Sequence, residues 1–311
     1  MNTPVNQALL QVSVNPHVRT RTTVPSIMAL ILVGLLPVGV AAIAAHGTAV
    51  MVTIVAGVAG AVVGEWAATL MRRRPSTISD WSALVSGVML ALMLPVSVPW
   101  WMAAVGALFG ILVVKQLFGG LGHYFISPVL GGYAFIFISY PAVALVADRA
   151  LPLLMPGVYN GLLWGSMTNI PGQTSVAALL LGALFLWHRK LIGFIVPICV
   201  VTTVFLLYWI SGWPAELFSA AALQVPLMQI ASGGLLFIVL FVATDSICTP
   251  LTIRGKIVFG MGCALLIWLL RGSSASALAV CYAVLLMQCV VPLIDMLLRP
   301  RWLGQRRRRH A

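Results

Sequence analysis

Acidic residues are nearly absent from this chain. There are six Asp and Glu in 311 residues, and charged residues of both signs make up only 8%. A soluble domain typically carries about 25% charged residues, so a water-facing globular fold is excluded. Long hydrophilic stretches are also missing, which excludes a separate soluble domain. Nothing has the build of a cleavable signal peptide; residues 1–23 are polar, so the first apolar run is expected to serve as its own insertion signal. The five cysteines, Cys199, Cys248, Cys263, Cys281 and Cys289, form no CxxC pair. Iron–sulfur centres usually want four thiolates, so a cluster or other metal held by this chain alone is not expected. Four of the five lie in apolar runs and read as small hydrophobes. Cys248 alone is placed like a ligand, for which the remaining alternative is a site shared with a partner.

Hydrophobic residues make up 61% of the chain. Runs such as Val24–Ala45, Ala49–Leu70 and Ile192–Ile210 are each long enough to cross the roughly 30 Å hydrocarbon core. The expected fold is an all-α polytopic membrane protein of about ten transmembrane helices. Its spans are Val24–Ala45, Ala49–Leu70, Trp81–Leu94, Trp100 to near Lys115, Pro128–Ala147, Thr174–Trp187, Leu191–Ile210, Gln229–Thr244, Ile257–Leu270 and Ala275–Leu297. An N-terminal arm, 1–23, precedes a single membrane domain, 24–298, and a basic tail, 299–311, follows it.

Basic residues orient the layout. With the N-terminus cytoplasmic, 16 of the 18 Lys and Arg fall on the cytoplasmic side, leaving Arg149 and Arg271 outside. That is the asymmetry of the positive-inside rule, and it places both termini in the cytoplasm. The net charge of +12 is therefore a topology signal, and no nucleic-acid partner is expected. The Arg306–Arg309 tail reads as an anchor to anionic membrane lipid.

Two interruptions stand out. Short span Trp81–Leu94 stops at Pro95 and restarts at Pro99-Trp100-Trp101. Later, the apolar run from Ser232 breaks at Ala243-Thr244-Asp245-Ser246-Ile247-Cys248-Thr249-Pro250 and resumes after Arg254 and Lys256. The order of short span, polar or Pro break, long span and glycines occurs in both halves. It suggests two inverted five-helix repeats, with sites where broken helices meet. An acid next to an apolar run is costly at membrane depth, so Asp245 is a functional candidate; the plainer reading is a capping acid. Thr249 is expected to cap the new helix, with Pro250 in its first turn. Glu65 must face a cavity or partner, or snorkel, and Lys115 and His123 are expected to mark the cytoplasmic interface.

FVATDSICTPLTIRGKIVFGMGCALLIWLLR resembles the signature of the RnfD/NqrB family, an ATDPVTSP-like break followed by a basic pair and a glycine-rich span. SALVSGVMLALMLPVSVPWWMAAVGALFGILVVKQLFGGLG, CYAVLLMQCVVPLIDMLLRPR and Asn15-Pro16-His17-Val18-Arg19 are similar to further family segments at matching order. The compact length favours the RnfD branch. The resemblance implies a membrane subunit of an ion-translocating oxidoreductase. Such a complex passes electrons between NADH and ferredoxin, coupled to Na+ or H+, and this subunit has RnfA, RnfB, RnfC, RnfE and RnfG as partners in the bacterial inner membrane. It also implies FMN, ordinarily phosphoester-linked to the threonine of an S-G-A-T motif. That motif is absent here: Gly172-Gln173-Thr174-Ser175 looks like a separate G-E-T-S motif, or like a degraded S-G-A-T. The candidate cofactor contacts are Thr174, Gly172 and Ser175, with Thr244 and Asp245 in the central break. Thr174 is the attachment candidate, and the alternative is non-covalent binding. Gly172 is expected to leave backbone room beside Thr174, while the plainer reading makes Thr174 and Ser175 caps. His123-Tyr124-Phe125-Ile126-Ser127-Pro128 replaces the family's Q-N-P-F-N-P, so a second flavin is not expected. A different class of function, a stand-alone channel or secondary transporter for a small solute, would use the same broken helices.

Overall fold

The computed structural model describes residues 23–72, 78–141, 169–211, 220–271 and 277–298, all helix and connection with no strand among them. The N-terminal arm, the tail and most of the loop after Ser139 lie outside the described residues. So does Thr168.

Helix α1 spans Val24–His46 and α2 spans Thr48–Arg72. The Ser26 hydroxyl starts α1 by accepting from the Thr23 N–H at 3.1 Å and donating to the Thr23 carbonyl at 2.7 Å. Helix α3, Ser82–Met93, ends before Pro95, which cannot supply a helical N–H. Helix α4 spans Trp100–Gln116, and its last turns, Gly110–Gln116, are wound wide as a π-helix. Pro128 opens α5, Pro128–Ser139, where a missing N–H costs nothing. The second half holds α6 (Val176–His188), α7 (Ile195–Ser211), α8 (Ala220–Ala231), α9 (Leu235–Val242), α10 (Ile253–Arg271) and α11 (Ala277–Leu297).

Four of these, α1, α2, α10 and α11, are long and apolar enough to cross a membrane, and the α8–α9 pair makes a fifth if it is one bent span. The other five apolar helices are shorter, 10 to 17 residues. The protein is an all-α polytopic membrane protein. The expected eighth span, Gln229–Thr244, is not one continuous helix. It bends by 59° between Val225–Ala231 and Leu235–Val242. Gly233 and Gly234 take positive φ at the bend, 64° and 69°, a backbone that residues with a Cβ rarely adopt.

Packing repeats between the halves. Helix α2 lies against α4 and α4 against α5; likewise α7 lies against α10 and α10 against α11. Across the halves α1 meets α6, and α5 meets α11. At the α1–α6 crossing a Cβ on Gly34 would lie 2.7 Å from Leu186 Cγ, and a Cβ on Gly182 would strike the Gly34 carbonyl oxygen. Small residues let membrane helices approach this closely.

Candidate functional site

The break after α9 forms one wall of an internal cavity of ≈ 140 Å³. This is ample for several waters, since one needs only about 10–15 Å³ of such space. Both π-wound helix ends reach it, α4 through Lys115 and α9 through Phe241 and Val242. π-Helical turns are uncommon and concentrate at functional sites. Apolar walls come from Ile27, Met28, Met89 and Leu186, and polar groups from Ser82, Ser86, Tyr124, Thr244 and Asp245.

Asp245 is half-buried. Its Oδ1 accepts from the Ile247 N–H at 3.2 Å, and its Oδ2 accepts from the Tyr124 hydroxyl at 3.2 Å. Burial pushes this carboxyl above the usual carboxylate range, against the opposing pull of those two donors. Burial and the neighbouring Asp245 likewise raise the Tyr124 hydroxyl, which stays protonated as the donor. Asp245 thus holds its own loop and faces a cavity at once. Thr244 donates to the Leu240 carbonyl at 2.6 Å and closes the end of α9. Thr249 does not cap the next helix. Helix α10 starts at Ile253, and Thr252 Oγ1 accepts from the Gly255 N–H at 3.0 Å, because residues 250–252 stay non-helical past Pro250.

On the opposite wall Lys115 Nζ lies 2.7 Å from Glu65 Oε2 and donates to Ser82 Oγ at 2.8 Å. The Gln116 amide donates to Glu65 Oε1 at 2.7 Å, and Arg72 donates to the Gln116 carbonyl at 2.6 Å. Glu65 therefore faces a partner, one of the expected options. Lys115, expected at the interface, is instead 2% exposed. The wide turn of α4 brings the consecutive residues Lys115 and Gln116 onto the same carboxylate. Arg271, at the end of α10, is buried and donates to the carbonyls of Gln229 at 2.5 Å and Ser232 at 2.6 Å. Each half thus has a basic residue near the end of one helix fastened to a serine at or just before the start of its short one: Lys115 to Ser82, the first residue of α3, and Arg271 to Ser232, just ahead of α9.

Gly172-Gln173-Thr174-Ser175 lies apart from Asp245, separated from it by the length of α9. Each residue has a packing role. Ser175 Oγ caps α6, accepting from the Ala178 N–H at 3.3 Å. The Gln173 amide donates to the Ala231 carbonyl and accepts from the Gly234 N–H, clasping the α8–α9 bend. Just upstream, the Asn169 carbonyl accepts from the Val96 N–H at 2.9 Å, fixing the other break. The room expected at Gly172 is already filled: a Cβ there would lie 2.8 Å from the Leu92 carbonyl oxygen and 3.0 Å from the Phe237 ring. Thr174 is 1% exposed, and its hydroxyl donates to the Pro171 carbonyl at 2.5 Å. A phosphoester needs a reachable hydroxyl with space for three phosphate oxygens, and Thr174 as packed offers neither.

Comparison with known proteins follows the same outline. The model of the NQR2, RnfD, RnfE family matches residues 11–304. The chain belongs to this family. It is 32% identical to the D subunit of the Na(+)-translocating ferredoxin:NAD(+) oxidoreductase complex of Acetobacterium woodii, over 96% of this chain and 97% of that one. It is 30% identical to the D subunit of the proton-translocating ferredoxin:NAD(+) oxidoreductase complex of Clostridium ljungdahlii, over 97% and 98%. The D subunit of the ion-translocating oxidoreductase complex of Sodalis glossinidius is 29% identical over 95% and 99%. On sequence alone neither Tyr124 nor Gln173 carries a role, because each acts on a partner far along the chain.

Proposed function

We propose that this chain is the RnfD-type membrane subunit of an ion-translocating oxidoreductase. The complex passes electrons between NADH and ferredoxin, coupled to Na+ or H+ movement, with RnfA, RnfB, RnfC, RnfE and RnfG as partners. The observation that carries this reading is the end-to-end match to proteins named for that reaction. The cavity adds support, since the π-wound ends of α4 and α9 both reach it and it carries the one carboxylate of the central break. On this reading the chain is not catalytic alone and sits in the bacterial inner membrane with both termini cytoplasmic.

FMN, when bound, supplies the one- and two-electron chemistry that protein side chains lack. The packing of Thr174 supports non-covalent FMN over a phosphoester in this chain. The protein's own part is to hold position. Gln173 clasps the α8–α9 bend, Asn169 pins the break after α3, Lys115 and Arg271 fasten the short helices, and Tyr124 holds Asp245 at the cavity.

Affinity purification of the tagged chain from its host membrane tests the reading. A yellow, multi-subunit preparation is expected, with ferredoxin-dependent NAD+ reduction that drives ion uptake into inverted vesicles. A colourless homo-oligomer without that activity overturns it and returns the solute-transport reading. On a denaturing gel the band of this subunit is expected to be dark under ultraviolet light. A fluorescent band overturns the non-covalent assignment, and its loss in Thr174→Val would place the ester there.

A further inference from the structure

The central break has a second face. On the side away from Asp245 it borders an open depression of ≈ 360 Å³ that shares Thr244 and Ser246 with the inner cavity. Two lysines distant in sequence converge on it, Lys190 from the turn after α6 and Lys256 from the first turn of α10. Neither ammonium makes an ion pair or hydrogen bond among the described residues, where the one salt bridge is Lys115–Glu65. No acid lines the depression, because the Asp245 carboxylate is turned to Tyr124. The hydroxyls of Ser246 and Thr249 border it and are likewise unspent.

Lys190 is also held in an unusual backbone. Its φ is 58°, left-handed at a residue with a long side chain. The turn is fixed by the Lys190 N–H donating to the Trp187 carbonyl at 2.7 Å and the Leu191 N–H to the Leu186 carbonyl at 3.0 Å. These two bonds close α6 as a Schellman turn with Lys190 in the left-handed position, and the turn places Lys190 in the lining of the depression. Trp187, Leu191 and Ile192 supply apolar lining beside the two lysines.

We propose that this depression binds a phosphate group, with Lys190 and Lys256 supplying the countercharge and Ser246 and Thr249 donating to its free oxygens. Charge-assisted contacts of this kind are the strong class of hydrogen bond. A phosphate here has two sources: the headgroup of an anionic phospholipid, whose acyl chains would lie on the apolar lining, or a soluble phosphate. The site lies outside the electron-transfer reading and does not depend on it.

The test uses the intact complex, delipidated in detergent. It is titrated with phosphatidylglycerol under native mass spectrometry, and with radiolabelled inorganic phosphate by equilibrium dialysis. The variant is Lys190→Asn with Lys256→Gln, asparagine being chosen because it tolerates the left-handed backbone. Loss of roughly five-fold in affinity per lysine is expected, the factor for about 1 kcal/mol per basic residue near an anionic surface. Lysine-dependent lipid binding assigns the headgroup source, and lysine-dependent phosphate binding without lipid assigns the soluble one. If neither ligand's binding depends on the lysines, the site does not exist. An equal loss in an Arg73→Gln/Arg74→Gln control overturns the proposal too, since the effect would then be net charge alone.

Discussion

Lys115 and Glu65 form an ion pair at 2.7 Å with side chains 2% and 0% exposed, joining α4 to α2 across fifty residues of sequence. Removing one partner of a buried pair strands a charge and costs roughly 3–5 kcal/mol, whereas replacing both can be neutral. Lys115→Met or Glu65→Gln alone is expected to lower the yield of assembled complex severely and its thermal midpoint measurably. The double variant Glu65→Gln/Lys115→Met is expected to recover most of both. Additive losses would show that the two residues act separately.

Asp245→Asn keeps one oxygen to accept from the Ile247 N–H, and the Tyr124 hydroxyl can turn to accept from the new amide, while the charge is removed. Assembly is therefore expected to be unchanged, while ion-coupled turnover falls about tenfold, a barrier change of ~1.4 kcal/mol. Ion uptake per NADH formed in reconstituted vesicles is the measurement. Full coupled turnover would reduce Asp245 to a loop-holding residue.

Much of the architecture is legible in the sequence because hydropathy reports on solvent. The long apolar runs form α1, α2, α10 and α11, and the Thr244–Pro250 interruption is a real break. What escapes is what depends on partners. Lys115 and Arg271 look like interfacial cations until Glu65 and the Gln229–Ser232 carbonyls are brought to them. The Ser232–Gly234 bend is invisible to a hydropathy window, since glycine and serine hardly alter its mean. Thr174 looks like a modifiable hydroxyl; only its neighbours reveal that it already donates to the Pro171 carbonyl.

The split of basic residues makes a topological prediction independent of side-chain packing. A cysteine replacing Gly157, which lies outside the described residues, is expected to be labelled by an impermeant maleimide only from the outer face in a cysteine-free background. Labelling restricted to the cytoplasmic side would reverse the whole orientation.

Gly182→Ala is expected to disrupt assembly, because its Cβ would strike the Gly34 carbonyl, and backbone cannot step aside as a side chain can. Gly39→Ala, also on α1 but with nothing within 4 Å of the added carbon, is expected to be silent. The two midpoints can be compared in one thermal-shift experiment. Equal behaviour would mean that the crossing tolerates separation.

That crossing also limits how the molecule can change shape. Where Gly34 and Gly182 meet there is no layer of side chains to act as a bearing, so neither half can roll over the other without prising main chain from main chain. Alternating-access machines of the rocking type need a lubricated joint at that place. Here main chain lies on main chain, and any rocking of that kind has to part the two backbones first.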